Sequence, residues 1–208
     1  ACNLYSGLLT LNNNEEIIPD LAESWEIPDE TTYIFHLRQG VKFHSGREMT
    51  ADDVVYTFDR ILGKTEAHAT ARKIEPDALL QARLFPDMFP MARQVLIACD
   101  FAKGVAARLA GVEVPSLPDA ERPGFADLNE RIRTVLAFID SLPQAAFAEA
   151  ATRQITIQPG TPREKQFVGE HYLLHYGLPQ FFFHVNATYA IARHNGVELG
   201  KRDYMGKF

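Results

Sequence analysis

The sequence predicts a mainly α protein. It reads as a four-helix bundle of up-down type with a small β-hairpin, preceded by a short β-containing N-terminal segment. Three observations carry this. Apolar residues recur at spacings of three and four along four long stretches, the period of a helix with one buried face. Two short stretches alternate apolar and polar residues instead, the period of a strand. The charge also changes sign near residue 63: residues 1–62 carry 11 acidic and 4 basic side chains, and residues 63–208 carry 16 and 17. Such a step marks a junction between segments of different origin. It divides the chain into a partial segment over 1–49 and a bundle over 50–208.

In chain order, Asn12, Asn13 and Asn14 mark a turn. Tyr33, Phe35 and Leu37 alternate with Ile34, His36 and Arg38, a strand, and 41–43 after Gly40 reads as a second short one. Thr50 is a candidate N-cap, with Asp52 and Asp53 in the first turn of a helix. Val54, Val55, Phe58, Ile61 and Leu62 then fall on one stripe, and one continuous helix is expected over about 50–73. Gly63 inside it costs about 1 kcal/mol of helix propensity. Pro76 opens a short helix. The next helix starts near Phe89 and Pro90, stops at Gly111, and turns Met91, Val95, Ala98, Ala102, Val105 and Leu109 inward.

Residues 114–124, with three prolines, form a loop, expected with 1–49 to be the most mobile part of the chain. The helix over 125–142 buries Leu128, Ile132, Val135, Leu136 and Ile139. Residues 153–168 form a hairpin around Pro159-Gly160. A final helix covers about 169–195, with a kink at 177–179. Four long helices are the number a bundle needs.

Composition limits the functions open to this chain. There is no basic patch with interleaved aromatics, so nucleic acid is not an expected partner. No apolar run approaches the roughly 18 residues of a membrane span. The opening ACNLYSGLLT lacks a basic stretch before an apolar one, so no signal peptide is read and a cytoplasmic location is expected. Cys2 and Cys99 make no disulfide framework, and Cys99 reads as a small core residue. No nucleophilic serine motif, CxxC pair or phosphate-binding glycine loop is present. Whether the protein is an enzyme is left open.

Two resemblances fit the two sides of the junction. DLAESWEI (20–27), TYIFHLRQGVKFHSG (32–46) and TADDVVYTFDRIL (50–62) resemble part of the extracytoplasmic solute-binding proteins of peptide and nickel ABC transporters, family 5. That resemblance alone implies a periplasmic protein that holds its ligand between two lobes. A strip this short cannot form such a cleft, so Trp25, His36 and His44 read as ordinary structural residues. ARLFPDMFPMARQVLIACDFAKG (82–104), YLLHYGLPQFFFHV (172–185) and RHNGVELGKRDYMG (193–206) resemble an uncharacterised bacterial family of DinB-like helical bundles. In that family the first helix ends in a stretch like KTEAHA (64–69), and TADDVVYTFDRIL stands here in place of its front half.

The DinB-like resemblance implies candidate site residues. Such proteins commonly hold a divalent metal, zinc or nickel, between helices with three histidines. Some relatives are thiol-dependent transferases or isomerases. His184 lies 12 residues before Gly196, the spacing of the last metal histidine. It reads as that ligand or as a hydrogen-bonded core histidine. The histidine expected four residues earlier is Gln180. His175 is the remaining candidate, nine steps before His184 and on the opposite side of an ideal helix. The second helix offers Gln94 near its inward stripe and Asp100. Asp100 reads as a site residue or as an exposed ion pair with Lys103. His68 is a further inward candidate. His171 and His194 read as solvent-facing. Phe181, Phe182 and Phe183 cover most of a helix circumference, which implies a lipophilic pocket or a subunit interface, with a homodimer as the expected assembly.

Overall fold

A computed structural model describes the backbone of Leu9–Leu11, Ile17–Pro19, Ala22–Asp29, Thr32–Leu37 and residues 51–205, and the side chains of residues 57–205. The chain divides into two compact units, residues 1–49 and 50–207. Among its described residues the first contains four short strands in two antiparallel pairs. β1 (Leu9–Leu11) pairs with β2 (Ile17–Pro19). β3 (Ala22–Asp29) pairs with β4 (Thr32–Leu37), setting Trp25 opposite Phe35 and Ser24 opposite His36. The turn at Asn12–Asn14, the strand expected over 41–43, His44 and the Thr50 cap lie outside the described residues.

The second unit is the bundle. Its long helices are α1 (Ala51–Arg72), α3 (Met91–Ala110), α4 (Phe125–Asp140) and a composite helix over 169–194, with the short α2 (Pro76–Leu80) between the first two. α1 passes through Gly63 without a break and delivers Phe58, Ile61, Leu62 and Ala69 to the core. Thr65 is fully buried there, its hydroxyl donating to the Ile61 carbonyl at 2.7 Å, which lets a polar residue occupy an inward position. α3 supplies the central wall. Met91, Val95 and Ala98 are buried, whereas Ala102 and Val105 are only half-buried, because they border a cavity rather than packed side chains. α3 ends at Gly111 with φ +72, where a Cβ would fall 1.6 Å from Arg153 Nη1, so only glycine fits this stop.

α4 starts with the Asp127 carboxylate accepting the Gly124 N–H at 2.8 Å. Leu128, Ile132 and Val135 are buried, and Leu136 and Ile139 half-buried. The preceding loop does not hang free. Arg131, buried on α4, donates to the carbonyls of Leu117 (3.1 Å) and Pro118 (2.8 Å) and pairs with the Asp119 carboxylate, so the stretch expected to be mobile is tied down at its centre.

After a 3-10 turn at Gln144–Phe147, β5 (Gln154–Ile157) and β6 (Lys165–Val168) form the hairpin. Ile155 and Ile157 cluster with Leu109 and Tyr172 into a small second core. The composite helix comprises α5 (Gly169–Tyr172), a π-helical turn over Leu173–Gly177 and α6 (Leu178–His194). The expected kink is thus a π turn placed earlier. Pro179 has no N–H to return to the residue 175 carbonyl, and the Leu178 N–H reaches back five residues to the Leu173 carbonyl. Close approach to α3 is possible because residue 177 is glycine: a Cβ there would lie 2.6 Å from Val105 Cγ2.

A last short helix, α7 (Lys201–Met205), closes against α1. Asp203 accepts from Arg60 Nε and Lys64 Nζ, both at 2.9 Å, and Thr57 Oγ1 donates to the Tyr204 carbonyl at 2.7 Å.

Candidate functional site

Where α3, α4 and the composite helix diverge, a cavity of about 320 Å³ remains. Ala102 and Ala106 stand one turn apart on the α3 wall, with Val105 and Leu109 beside them. Ile132, Val135, Leu136 and Ile139 form the α4 wall, Leu173, Gly177, Leu178 and Phe181 the third, and Phe58 and Phe147 the two ends. No lining side chain is charged. The one sulfur in the wall, Cys99, is buried. That burial raises its thiol to about 12, with opposing contributions from Arg131 and Asp100. It stays protonated at neutral pH and is not a nucleophile.

Phe101 links the cavity to a buried polar pair. Its ring stacks on His184 with centroids 5.9 Å apart and an interplanar angle of 15°. His184 Nδ1 lies 2.6 Å from Gln94 Oε1, and Gln94 Nε2 donates to the Phe89 carbonyl at 3.1 Å. The second bond fixes the Gln94 amide with its oxygen toward the imidazole. Nδ1 must therefore carry the proton, leaving Nε2 as the bare lone pair. Burial pushes the His184 pKa down, which keeps the ring neutral. The arrangement can accept one hydrogen bond or proton at Nε2.

The other sequence candidates do not join this pair. His175 lies on the outer face of the π turn, its ring 4.6 Å from that of His171, and takes no contact from His184. His68 is half-buried near the α6 stop, its Cε1 3.8 Å from where a Cβ of Gly196 would stand. Gln180 is half-buried. Asp100 pairs with Lys103 at 3.1 Å and lies 3.8 Å from Arg131. The pair expected on the surface is thus half inside, because both cations are buried. Among the described residues no three His, Cys, Asp or Glu side chains converge on a metal position. His184 would bring one nitrogen where a zinc site needs three or four donors, so the residues present do not fit the expected ion.

The phenylalanine run implied a lipophilic pocket or a subunit interface, but pattern reading did not place the cavity or name its lining as a set. Ala102 and Ala106, small residues a turn apart, are a further sequence signal. Of the phenylalanine run, Phe181 lines the cavity, while Phe182 and Phe183 stay 42% and 57% exposed. No helix among the described residues is long and apolar enough to cross a membrane.

Residues 46–205 match the family model described as "Domain of unknown function (DUF1993)". The chain belongs to the DUF1993 family. A solved structure of similar fold, a DinB family member protein from Shewanella denitrificans, is 39% identical with a TM-score of 0.70, over 76% of this chain and 88% of that one. The DUF1993 match opens at residue 46, so all of α1 falls inside it, including the 50–62 stretch that resembles solute-binding proteins. That second resemblance has its own relatives. Di/tripeptide-binding protein 1 of Pseudomonas aeruginosa is 54% identical over 56 residues, 24% of this chain and 10% of that protein. The dipeptide-binding protein of Escherichia coli is 48% identical over 65 residues, 27% of this chain and 12% of that protein. The chain thus spans about a tenth of the length of these curated relatives. The matches are consistent with a chimera: a DUF1993 bundle joined to a short segment similar to peptide-binding proteins.

Proposed function

We propose that this DUF1993 bundle binds a small apolar molecule in the cavity between α3, α4 and the composite helix. The observation that carries this reading is the cavity: about 320 Å³ of space with uncharged walls in an otherwise close-packed core. An apolar void of about 150 Å³ is enough for a benzene-sized guest, and pockets for small ligands begin near 300 Å³. This reading assigns no role to a divalent ion.

Thermal unfolding in the presence of indole and of toluene tests it, because a guest that binds only the folded state raises Tm. Indole is expected to raise the midpoint of the intact chain. Ala106→Phe, which fills the cavity, should abolish the rise while leaving the far-UV circular dichroism unchanged. No shift with either probe, or an undiminished shift in Ala106→Phe, refutes the reading. A dipeptide such as Ala-Phe is the matching control for the peptide-binding resemblance and is expected to leave Tm unmoved.

A further inference from the structure

A second concavity, of about 180 Å³, opens where α3 meets the hairpin and the π turn. Its chemistry centres on Arg108. The guanidinium lies back along α3, Nη1 donating to the Gly104 carbonyl at 3.1 Å and to the Tyr172 hydroxyl at 3.3 Å. It can do so because residue 104 is glycine: a Cβ there would stand 2.6 Å from Nη1. No carboxylate among the described residues pairs with Arg108, and its remaining N–H groups meet no acceptor there. Tyr172 uses its oxygen to accept from Arg108, so its own hydroxyl hydrogen is left to donate. Burial raises the Tyr172 pKa, so that hydrogen is retained at neutral pH.

The walls complete the site. Tyr176 and Phe101 line it with their rings in edge contact, 5.9 Å apart, and Lys165 Nζ lies 5.5 Å above the Tyr176 ring. Gln158 closes the hairpin side with φ +50, a left-handed conformation uncommon for a residue other than glycine. Asp100 also lines the groove, but Lys103 and Arg131 already neutralise it. The local balance is therefore cationic, with Arg108 and Tyr172 in the lining beside the aromatic rings.

We infer that this groove binds a small aromatic carboxylate, its carboxylate on the Arg108 guanidinium and the Tyr172 hydroxyl and its ring against Tyr176 and Phe101. A guanidinium and one hydroxyl match a singly charged, planar anion. This inference does not rest on the reading of the apolar cavity and needs nothing bound there, although Phe101 lines both.

Benzoate is the probe, titrated into the intact chain and followed by two-dimensional NMR, with benzyl alcohol and inorganic phosphate in parallel. Saturable benzoate binding that moves resonances of Arg108, Gln158 and Tyr172 is expected, with no saturable response to the other two. Arg108→Met should weaken benzoate about tenfold or more, and Tyr172→Phe should weaken it less. Ala106→Phe should leave it unchanged, which separates this groove from the cavity. Arg108→Lys keeps the charge without the planar fork and guards against a fold defect: it should stay folded and bind at intermediate strength. The inference fails if benzoate shows no saturable binding, if a folded Arg108→Met binds as the parent does, if Ala106→Phe abolishes binding, or if phosphate binds as tightly as benzoate.

Discussion

Gln94 and His184 show how much one buried hydrogen bond decides. Gln94→Ala leaves the His184 Nδ1–H without an acceptor in a buried position, and unfolding by urea should report a loss of about 1–3 kcal/mol. The same histidine gives stability a pH dependence. Its folded pKa lies below its ordinary value of 6.5, so the unfolded chain takes up a proton first. The contribution is complete above pH 6.5 and is lost as pH falls toward the folded value. Urea midpoints at pH 8 and pH 5.5 should differ more for the parent than for His184→Gln. At this scale the sequence was legible where a polar residue fell on an apolar stripe, as Gln94 does. It was silent on Arg108 and Tyr172, which are 64 residues apart and belong to no spacing pattern. It also misplaced Lys103, since a charged residue reads by default as solvated, whereas this one is buried beside Asp100.

Single helices invite sharper expectations. Gly63 is exposed inside α1, and a Cβ there meets nothing within 4 Å. Gly63→Ala should stabilise the bundle by about 0.5–1 kcal/mol, whereas Gly111→Ala, at φ +72 and against Arg153, should destabilise it by more than that. Thermal denaturation of the two variants checks the opposite signs. The contact between α1 and α7 has its own acid signature. Burial alone would raise the Asp203 carboxyl. Hydrogen bonds from Lys64, the Gly200 N–H and Arg60 override that and pull it down to about 2 from 3.8. A lowered carboxylate pKa stabilises the fold above the unfolded value and is lost as pH falls toward 2. Asp203→Asn should therefore be less stable than the parent at pH 6, and the gap should close as pH is lowered through that window. The long helices and the hairpin were legible because each bears a clean period and a recognisable stop. α7 was not, because five residues are too few to show a period, and its place is set by Asp203 meeting two cations 139 and 143 residues away.

For the molecule as a unit, the outer face of α6 is one of the apolar features left exposed among the described residues. Phe182 and Phe183 stand exposed there, and exposed aromatics grouped on one face favour self-association. Sedimentation equilibrium should show a dimer whose population rises with concentration and falls in a Phe182→Ser, Phe183→Ser double variant. A monomer at every concentration would sink the expectation. The fold class was legible in four helical periods, and the chimera in an abrupt change of charge and motif. The place and walls of the cavity were not, although the phenylalanine run hinted at a pocket, because a void is the absence of side-chain volume. The uninterrupted α1 has one more consequence, for how such a junction tolerates length. Residues before the seam (Phe58, Ile61, Leu62) and after it (Thr65, Ala69) enter one core, while Arg60 and Lys64, on either side, grip one carboxylate. Adding one residue at Gly63 would turn the front half by about 100°, swinging its apolar stripe and Arg60 away together, while adding seven would restore their facing to within about 20° but carry them about 10 Å along the axis. The splice is keyed like a gear: what it must preserve is angular phase, and sequence at the joint is free to vary as long as the teeth still mesh.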